Sequence, residues 1–162
     1  MRPILNPAKF SGLALTVMAG SLLALHAQAA PQVIELTQVP CQFLDVESDK
    51  GYSTSRKADC EAINAKSGTE RVAGAKTLTL KPGEYVFRVA NKNVPYELGF
   101  WLREKDYNWA NPLHKLNKIS VSGGGLHQGK SKDYKVTLKP GEYLFSCPLN
   151  TTPDYKLVVS DN

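Results

Sequence analysis

The sequence has few of the residues from which metal and redox centres are built. Among 162 residues there are only three cysteines, three histidines and two methionines. The P-loop, the GxGxxG pattern, the GxSxG nucleophile turn, HExxH, CxxC and CxxCH are all absent from it. Each of these motifs holds particular donor atoms at a fixed spacing. Their absence therefore argues against the commoner nucleotide-binding, hydrolase, zinc and haem classes.

Long apolar runs and charge of a single sign are also missing. The 20 basic and 15 acidic side chains give a net charge of +5, and the lysines are scattered, which argues against nucleic-acid binding. The apolar stretch 12–25 is shorter than the ~20 residues that span a bilayer. It follows Arg2 and Lys9 and precedes Ala27-Gln28-Ala29, which is the pattern of a secretory signal.

A signal peptide over residues 1–29, cleaved after Ala29, leaves one domain over residues 30–162. Its removal takes away both methionines and two basic residues, which lowers the net charge to +3. The predicted location is therefore periplasmic or secreted. No transmembrane segment is predicted in the mature chain.

The mature chain alternates apolar and polar residues between turns, which predicts short strands. Eight such strands in one domain predict an all-β sandwich or barrel. A single short helix is predicted over residues 58–66, and residues 106–118 form a long connection. The predicted strands are 33–39, 77–80, 85–90, 96–103, 119–122, 134–138, 142–147 and 155–160.

One ten-residue pattern occurs twice. LTLKPGEYVF at 78–87 returns as VTLKPGEYLF at 136–145. Proline followed by glycine suits the two central positions of a type II turn, so each copy predicts a hairpin. The copies are interpreted either as a tandem binding repeat or as one hairpin used twice by a sandwich.

The three cysteines of the mature chain are odd in number, so an oxidising compartment leaves one without an intramolecular partner. Cys41 and Cys60 flank a polar loop, and closing a loop of ~20 residues stabilises a fold by roughly 3 kcal/mol. A Cys41–Cys60 disulfide is therefore predicted. Cys147 is then the free thiol.

The segment 141–159, with Cys147 at the end of a strand, resembles the C-terminal copper loop of cupredoxins such as plastocyanin and pseudoazurin. In that family the cysteine is followed by histidine three residues on and by methionine five residues later. Residues 91–100 resemble the family's first-ligand strand, in which proline precedes a histidine. The resemblance implies a cupredoxin-like Greek-key β-sandwich of about eight strands, and single-electron transfer through a type 1 copper.

The ligand positions of this frame differ from the family. Tyr96, Asn150 and Tyr155 stand where the two histidines and the methionine occur, and only the thiol of Cys147 remains. A type 1 site needs two imidazoles and a thiolate. The resemblance therefore implies a degenerate site and no cofactor. The four side chains are expected to form a hydrogen-bonded plug, with Tyr96 pointing inward.

Two histidines remain after processing, His114 and His127. Both are interpreted first as solvated loop residues. In the alternative, the flexible glycines 123–125 let His127 fold towards Cys147, which gives a thiolate–imidazole copper site.

Three aromatic residues, Trp101, Tyr107 and Trp109, are predicted either to form a partner interface at the Cys147 end of the sandwich or, for at least one of the tryptophans, to cap its open edge. No catalytic residues are predicted, because Cys147 and the histidines lack the arrangement of a nucleophile and its base. The predicted function is an exported noncatalytic binding or assembly protein that acts on a periplasmic protein partner. The alternative is a copper-binding or electron-transfer cupredoxin with an altered ligand set centred on Cys147.

Overall fold

The computed structural model describes residues 30–161. The predicted signal peptide over residues 1–29 lies outside this range. Nine strands and two helices follow one another along the chain. They are β1 Gln32–Val39, β2 Gln42–Phe43, α1 Lys57–Gly74, β3 Leu78–Leu80, β4 Gly83–Asn91, β5 Leu98–Glu104, α2 His114–Asn117, β6 Ser120–Leu126, β7 Ser131–Leu138, β8 Gly141–Ser146 and β9 Tyr155–Val159.

The strands form two sheets. Sheet A has the order β2-β1-β4-β7, and sheet B has the order β3-β9-β8-β5-β6. The inner faces of the two sheets supply the core, in which Phe87 stacks on Phe100 at 5.8 Å and Phe43 meets Phe145 edge-on at 5.5 Å. The predicted β-sandwich is confirmed, and each of the eight predicted strands overlaps an observed one.

The repeated Leu-Lys-Pro-Gly-Glu-Tyr sequences do not form hairpins, so that prediction is wrong. The first copy carries the chain from β3 in sheet B to β4 in sheet A, and the second carries it from β7 back to β8. In each copy the tyrosine hydroxyl, of Tyr85 or Tyr143, donates to the carbonyl four residues earlier at 2.8 Å. The repeat is therefore a sandwich corner closed by a tyrosine.

Helix α1 extends eight residues beyond its predicted end at residue 66. It begins where the Asp59 carboxylate accepts hydrogen bonds from the backbone amides of Ser55 and Arg56, at 2.9 and 3.1 Å. These hydrogen bonds lower the pKa of Asp59 to about 2. The second half of the helix is weak in propensity, but its Arg71 is buried against the loop after β2, and this contact outweighs local preference.

Within the described part of the chain, no helix is both long and apolar enough to cross a membrane.

Candidate functional site at the Cys147 corner

Cys147 lies directly after β8 with its side chain fully buried. We call the turn 147–152, together with the side chains that contact it, the Cys147 corner. The backbone amide of Asn150 donates to Cys147 Sγ at 3.1 Å. The turn between them is closed by Thr152, whose Oγ1 accepts from the Cys147 amide at 2.9 Å. Burial raises the pKa of the Cys147 thiol, and the backbone amides of Gly99 and Asn150 oppose that rise only in part. The thiol is therefore the stable form at neutral pH.

Asn150 is fully buried, and both ends of its amide are used. Its Oδ1 accepts from the Cys41 amide at 3.0 Å, and its Nδ2 donates to the Val39 carbonyl at 2.9 Å. These bonds join the Cys147 turn to the end of β1. The side chain that stands in the second histidine position therefore serves as a structural clamp.

Tyr155 begins β9 and is also fully buried. Its hydroxyl donates to Glu47 Oε1, and it accepts from Arg71 Nη2 at 3.3 Å. Burial raises the pKa of Tyr155, and the Glu47 carboxylate raises it further. The phenol is therefore held protonated inside a network that faces α1.

Glu47 and Arg71 form a buried ion pair beside the corner. Two bonds join the guanidinium and the carboxylate, at 2.5 and 3.0 Å, and each side chain is 5% exposed. Arg71 also donates to the Cys41 carbonyl at 2.9 Å and to Asn64 Oδ1 at 2.6 Å. This cluster fixes α1 across the corner. Sequence reasoning missed it because no motif or periodicity marks two charged residues 24 positions apart.

The predicted disulfide between Cys41 and Cys60 is confirmed. Both cysteines are fully buried, and Cys41 has a φ of 65°, a left-handed conformation that is uncommon for a residue with a side chain. Cys60 Sγ lies 3.4 Å from Asn150 Oδ1. The disulfide therefore draws the start of α1 down onto the Cys147 turn.

Tyr96 precedes β5 and is half-buried. Its hydroxyl lies 3.3 Å from Thr54 Oγ1 and 3.8 Å from Cys60 Sγ. Burial raises the pKa of Tyr96. Tyr96 therefore stands beneath the loop that the disulfide closes.

The expected mutual plug is wrong in its details. Asn150 bonds β1 and the backbone of Cys41, Tyr155 bonds the Glu47–Arg71 pair, and Tyr96 bonds Thr54. The three polar side chains take their partners from the segment 39–71 instead of from one another. The partners of Tyr96 and Tyr155 come from the segment between β2 and β3, and those of Asn150 come from the end of β1 and from Cys41.

Gln38 on β1 is a further buried side chain that sequence reasoning missed. It is fully buried beside Cys147, and its Nε2 donates to the Gly99 carbonyl at 2.9 Å. Its Oε1 has no hydrogen-bond partner among the described residues. Alternation along β1 could have placed Gln38 on the inner face.

The glycines before His127 are part of β6, and their backbone groups are bonded to neighbouring residues. The Gly123 carbonyl accepts from the Tyr134 hydroxyl at 3.1 Å, and the Gly125 amide donates to the Glu97 carboxylate at 2.6 Å. A side chain at Gly99 on the neighbouring strand would lie 2.6 Å from the Gly123 carbonyl, so the two strands approach closely. His127 itself is exposed, whereas Cys147 is buried.

His114, Asp133 and Asp154 are each bonded to a group other than the Cys147 thiol. The ring of His114 accepts from the Asn108 amide at 2.9 Å in the long connection. Asp133 is paired with Arg88, and Asp154 with Arg103. Among residues 30–161, no three His, Cys, Asp or Glu side chains are grouped so that they could hold a metal.

The donor set at the corner does not fit a type 1 copper. The resemblance supplies Cys147 as a thiolate ligand, but the other two inward groups are engaged elsewhere: the Asn150 amide holds β1 and the Tyr155 phenol holds Glu47. To bind here, a copper ion would have to break those hydrogen bonds. The amide and phenol oxygens that it would gain as ligands are neutral donors, which bind Cu(I) poorly.

Of the three predicted interface residues, Trp101 lies beside the Cys147 end of sheet B, where it pairs with Ser146, and the connection that carries Tyr107 and Trp109 begins at the other end of β5. Strand β5 starts beside the corner, and its last residue, Glu104, pairs with Tyr143 near the start of β8. Tyr107 then folds back against Trp101 at 6.1 Å, while Trp109 is 71% exposed. The antiparallel pairing of β5 with β8 carries the connection 105–118 away from Cys147.

No family model matches the chain, and no curated protein matches it. Solved structures that are similar to it include auracyanin B, which is 16% identical with a TM-score of 0.48, over 82% of this chain and 92% of that one. A dithionite-reduced auracyanin from the photosynthetic bacterium Roseiflexus castenholzii is 14% identical with a TM-score of 0.45, over 82% and 99%.

A multi-copper oxidase from Pediococcus acidilactici is 12% identical with a TM-score of 0.38. That similarity covers 94% of this chain and 31% of the oxidase. The β-sandwich assignment rests on the two hydrogen-bonded sheets.

Proposed function

We propose that this protein is an exported, noncatalytic binding or assembly protein whose Cys147 corner is a structural junction and not a metal centre. The observation that carries the proposal is the engagement of Asn150. Its amide oxygen and nitrogen are both bonded to buried backbone groups, at 3.0 and 2.9 Å. Withdrawing either bond to free a metal ligand would leave a buried polar group unpaired, which costs about 1–3 kcal/mol.

The binding part of the proposal is supported by an apolar surface at the far end of sheet B. We call it the apolar segment, and it consists of Trp109, Leu113 and Leu116. These three make up most of the five large apolar side chains that are exposed among the described residues, and they lie within eight positions of one another. Exposed apolar groups that cluster in this way are typical of interaction sites.

Copper titration tests the part of the proposal that the Cys147 corner is not a metal centre. Cu(II) added to the oxidised chain, and Cu(I) added anaerobically to the same chain, are followed by visible absorption and by competition with a chelator. We expect no intense thiolate-to-copper band and no binding that Cys147→Ser removes. A strong band in the parent chain that is absent from the serine variant would contradict the proposal.

A copper-binding or electron-transfer protein centred on Cys147 is the second candidate. The unpartnered Oε1 of Gln38 favours it, because a glutamine oxygen serves as the weak axial donor in some copper–thiolate sites and this one lies buried beside the thiol. In the titration above, tight Cu(I) binding lost in both Cys147→Ser and Gln38→Leu would support this candidate. Loss in His127→Ala as well would add that imidazole to the ligand set.

A further inference from the structure

The sulfur of Cys60 lies between the two side chains that stand in the predicted histidine positions. It is 3.4 Å from Asn150 Oδ1 and 3.8 Å from the Tyr96 hydroxyl. In a type 1 site the two imidazoles and the thiolate are directed at one copper ion. The side chains at the corresponding positions of this chain are directed at a disulfide sulfur instead.

The disulfide is held in this place from both of its ends. Cys60 is fully buried in the first turn of α1, and Cys41 is fully buried in the turn after β1. The Cys41 amide donates to Asn150 Oδ1 at 3.0 Å, and the Cys41 carbonyl accepts from Arg71 Nη2 at 2.9 Å. The bridge therefore cannot swing away from Asn150 without breaking buried hydrogen bonds.

Asn150 also joins the disulfide to the Cys147 thiol. Its backbone amide lies 3.1 Å from Cys147 Sγ, while its side-chain oxygen lies 3.4 Å from Cys60 Sγ. We infer that the Cys41–Cys60 disulfide closes this corner to a metal ion, because Cys60 Sγ fills the space towards which both histidine positions point. The site is therefore blocked whichever side chains stand at those positions. The inference rests on the proposed function, in which the corner is a structural junction.

Restoring the two histidines, with the disulfide and without it, tests this inference. Tyr96→His and Asn150→His are introduced together into the parent chain and into the Cys41→Ala, Cys60→Ala variant. Tyr155 is left unchanged, because the axial group of a type 1 site binds only weakly. After addition of Cu(II), we expect no intense thiolate-to-copper band while the bridge is present and a strong band once the bridge has been removed.

Three further variants control the comparison. Cys147 is the only cysteine of the bridge-free mature chain, so adding Cys147→Ser should remove the band. Tyr143→Phe in the bridged histidine variant weakens the fold at a sandwich corner and leaves the disulfide in place, so it should produce no band. If circular dichroism shows that the double histidine variant does not fold, Tyr96→His alone makes the same comparison, because it leaves the Asn150 bond to β1 intact.

Equal bands with and without the bridge would overturn the inference, as would a band in the Tyr143→Phe control or no band in a folded bridge-free chain. A band that appears only after the bridge is removed supports it. Copper binding through Cys147 in the parent chain would instead contradict the proposed function. The histidine variants leave that function standing, whichever way their comparison falls.

Discussion

Arg71 is the charged residue that joins the separate parts of the Cys147 corner. Arg71 satisfies five acceptors at once: both Glu47 oxygens, the Cys41 carbonyl, Asn64 and the Tyr155 hydroxyl. A charged side chain so completely paired is tolerated inside a protein, but removing either partner leaves the other charge buried and uncompensated. The residue scale is therefore where the corner is most sensitive.

Replacing Arg71 by methionine should destabilise the fold by about 3–5 kcal/mol, because Glu47 would remain as a lone buried carboxylate. Urea unfolding at pH 7 measures the change. Arg88→Met, which breaks an exposed pair with Asp133, should cost less than about 1 kcal/mol. Replacing Glu47 by methionine together with Arg71 should recover much of the loss, and a double variant as unstable as Arg71→Met would argue against this account.

The free energy of unfolding should fall as the pH rises into the mildly alkaline range, because of the Cys147 thiol. Burial raises its pKa in the folded state, so the unfolded chain releases this proton first as pH passes the ordinary thiol value of ~8.5. The free energy of unfolding then falls above that pH, by at most about 1.4 kcal/mol per pH unit. Urea unfolding between pH 7 and about 9.5 measures the slope, which Cys147→Ser should flatten. An equal slope in both chains would assign the effect to other groups.

Most residues of the corner could be found from the sequence, but their partners could not. The position of Cys147 at a strand end and the pairing of Cys41 with Cys60 follow from spacing and parity. The role of Asn150 does not, because it depends on the carbonyl of Val39, 111 residues away. Contacts between residues so far apart in sequence are set by how the sheets pack, so a local sequence pattern does not predict them.

At the scale of elements, the segment between β2 and β3 covers the Cys147 corner. It contains α1 and Cys60, whose disulfide reaches back to Cys41 before β2. It supplies the partners of Tyr96 and Tyr155, whereas Asn150 bonds Cys41 and the end of β1. The strands themselves could be predicted, since apolar and polar residues alternate along them as successive side chains face the core and the solvent. The length of α1 and the sheet changes at the repeated corners were not, since both depend on which neighbours the chain meets.

Removing the disulfide should weaken the fold while the corner stays assembled. The bridge closes a separation of 19 residues, for which the chain-entropy model gives about 3 kcal/mol. Thermal or urea unfolding of the Cys41→Ala, Cys60→Ala variant measures the loss. Because the Arg71 cluster still holds α1, we expect unchanged helical circular dichroism below the transition. Loss of that helical signal would show that the bridge alone positions α1.

The two tyrosine corners should be equivalent in energy. Tyr85 and Tyr143 make the same hydrogen bond at the same length, 2.8 Å, so replacing each by phenylalanine should cost about 1–2 kcal/mol. Tyr107→Phe is the matched control, since the hydrogen bonds described for the sandwich corners do not involve it, and it should change stability by less than about 0.5 kcal/mol. Urea unfolding of the three variants makes the comparison, and a large difference between the two corners would contradict their equivalence.

On the scale of the whole molecule, the protein has two ends with different characters. The Cys147 end is closed by a disulfide, a buried ion pair and the Asn150 clamp. The far end presents the apolar segment. Sheets A and B share one core, through pairs such as Phe87 with Phe100, so both ends belong to one packed unit.

One cooperative transition should therefore describe unfolding. Tryptophan fluorescence, which reports sheet B through Trp101, and far-ultraviolet circular dichroism, which reports both sheets and α1, should give coincident urea curves in the oxidised chain. Separate midpoints would show that α1 and its loop unfold independently of the sandwich. Leu116→Ala should leave both curves in place, because that side chain is 85% exposed.

The place of β9 within sheet B delays the completion of that sheet during synthesis. β9 lies between β3 and β8, and it pairs in parallel with β3 through Leu78↔Leu157. Residues near position 78 therefore have no strand partner on that side until residues 155–159 are available. Pairings over such a separation are slow and leave sheet edges exposed in the meantime. Sheet B therefore closes only after the chain has been made as far as β9.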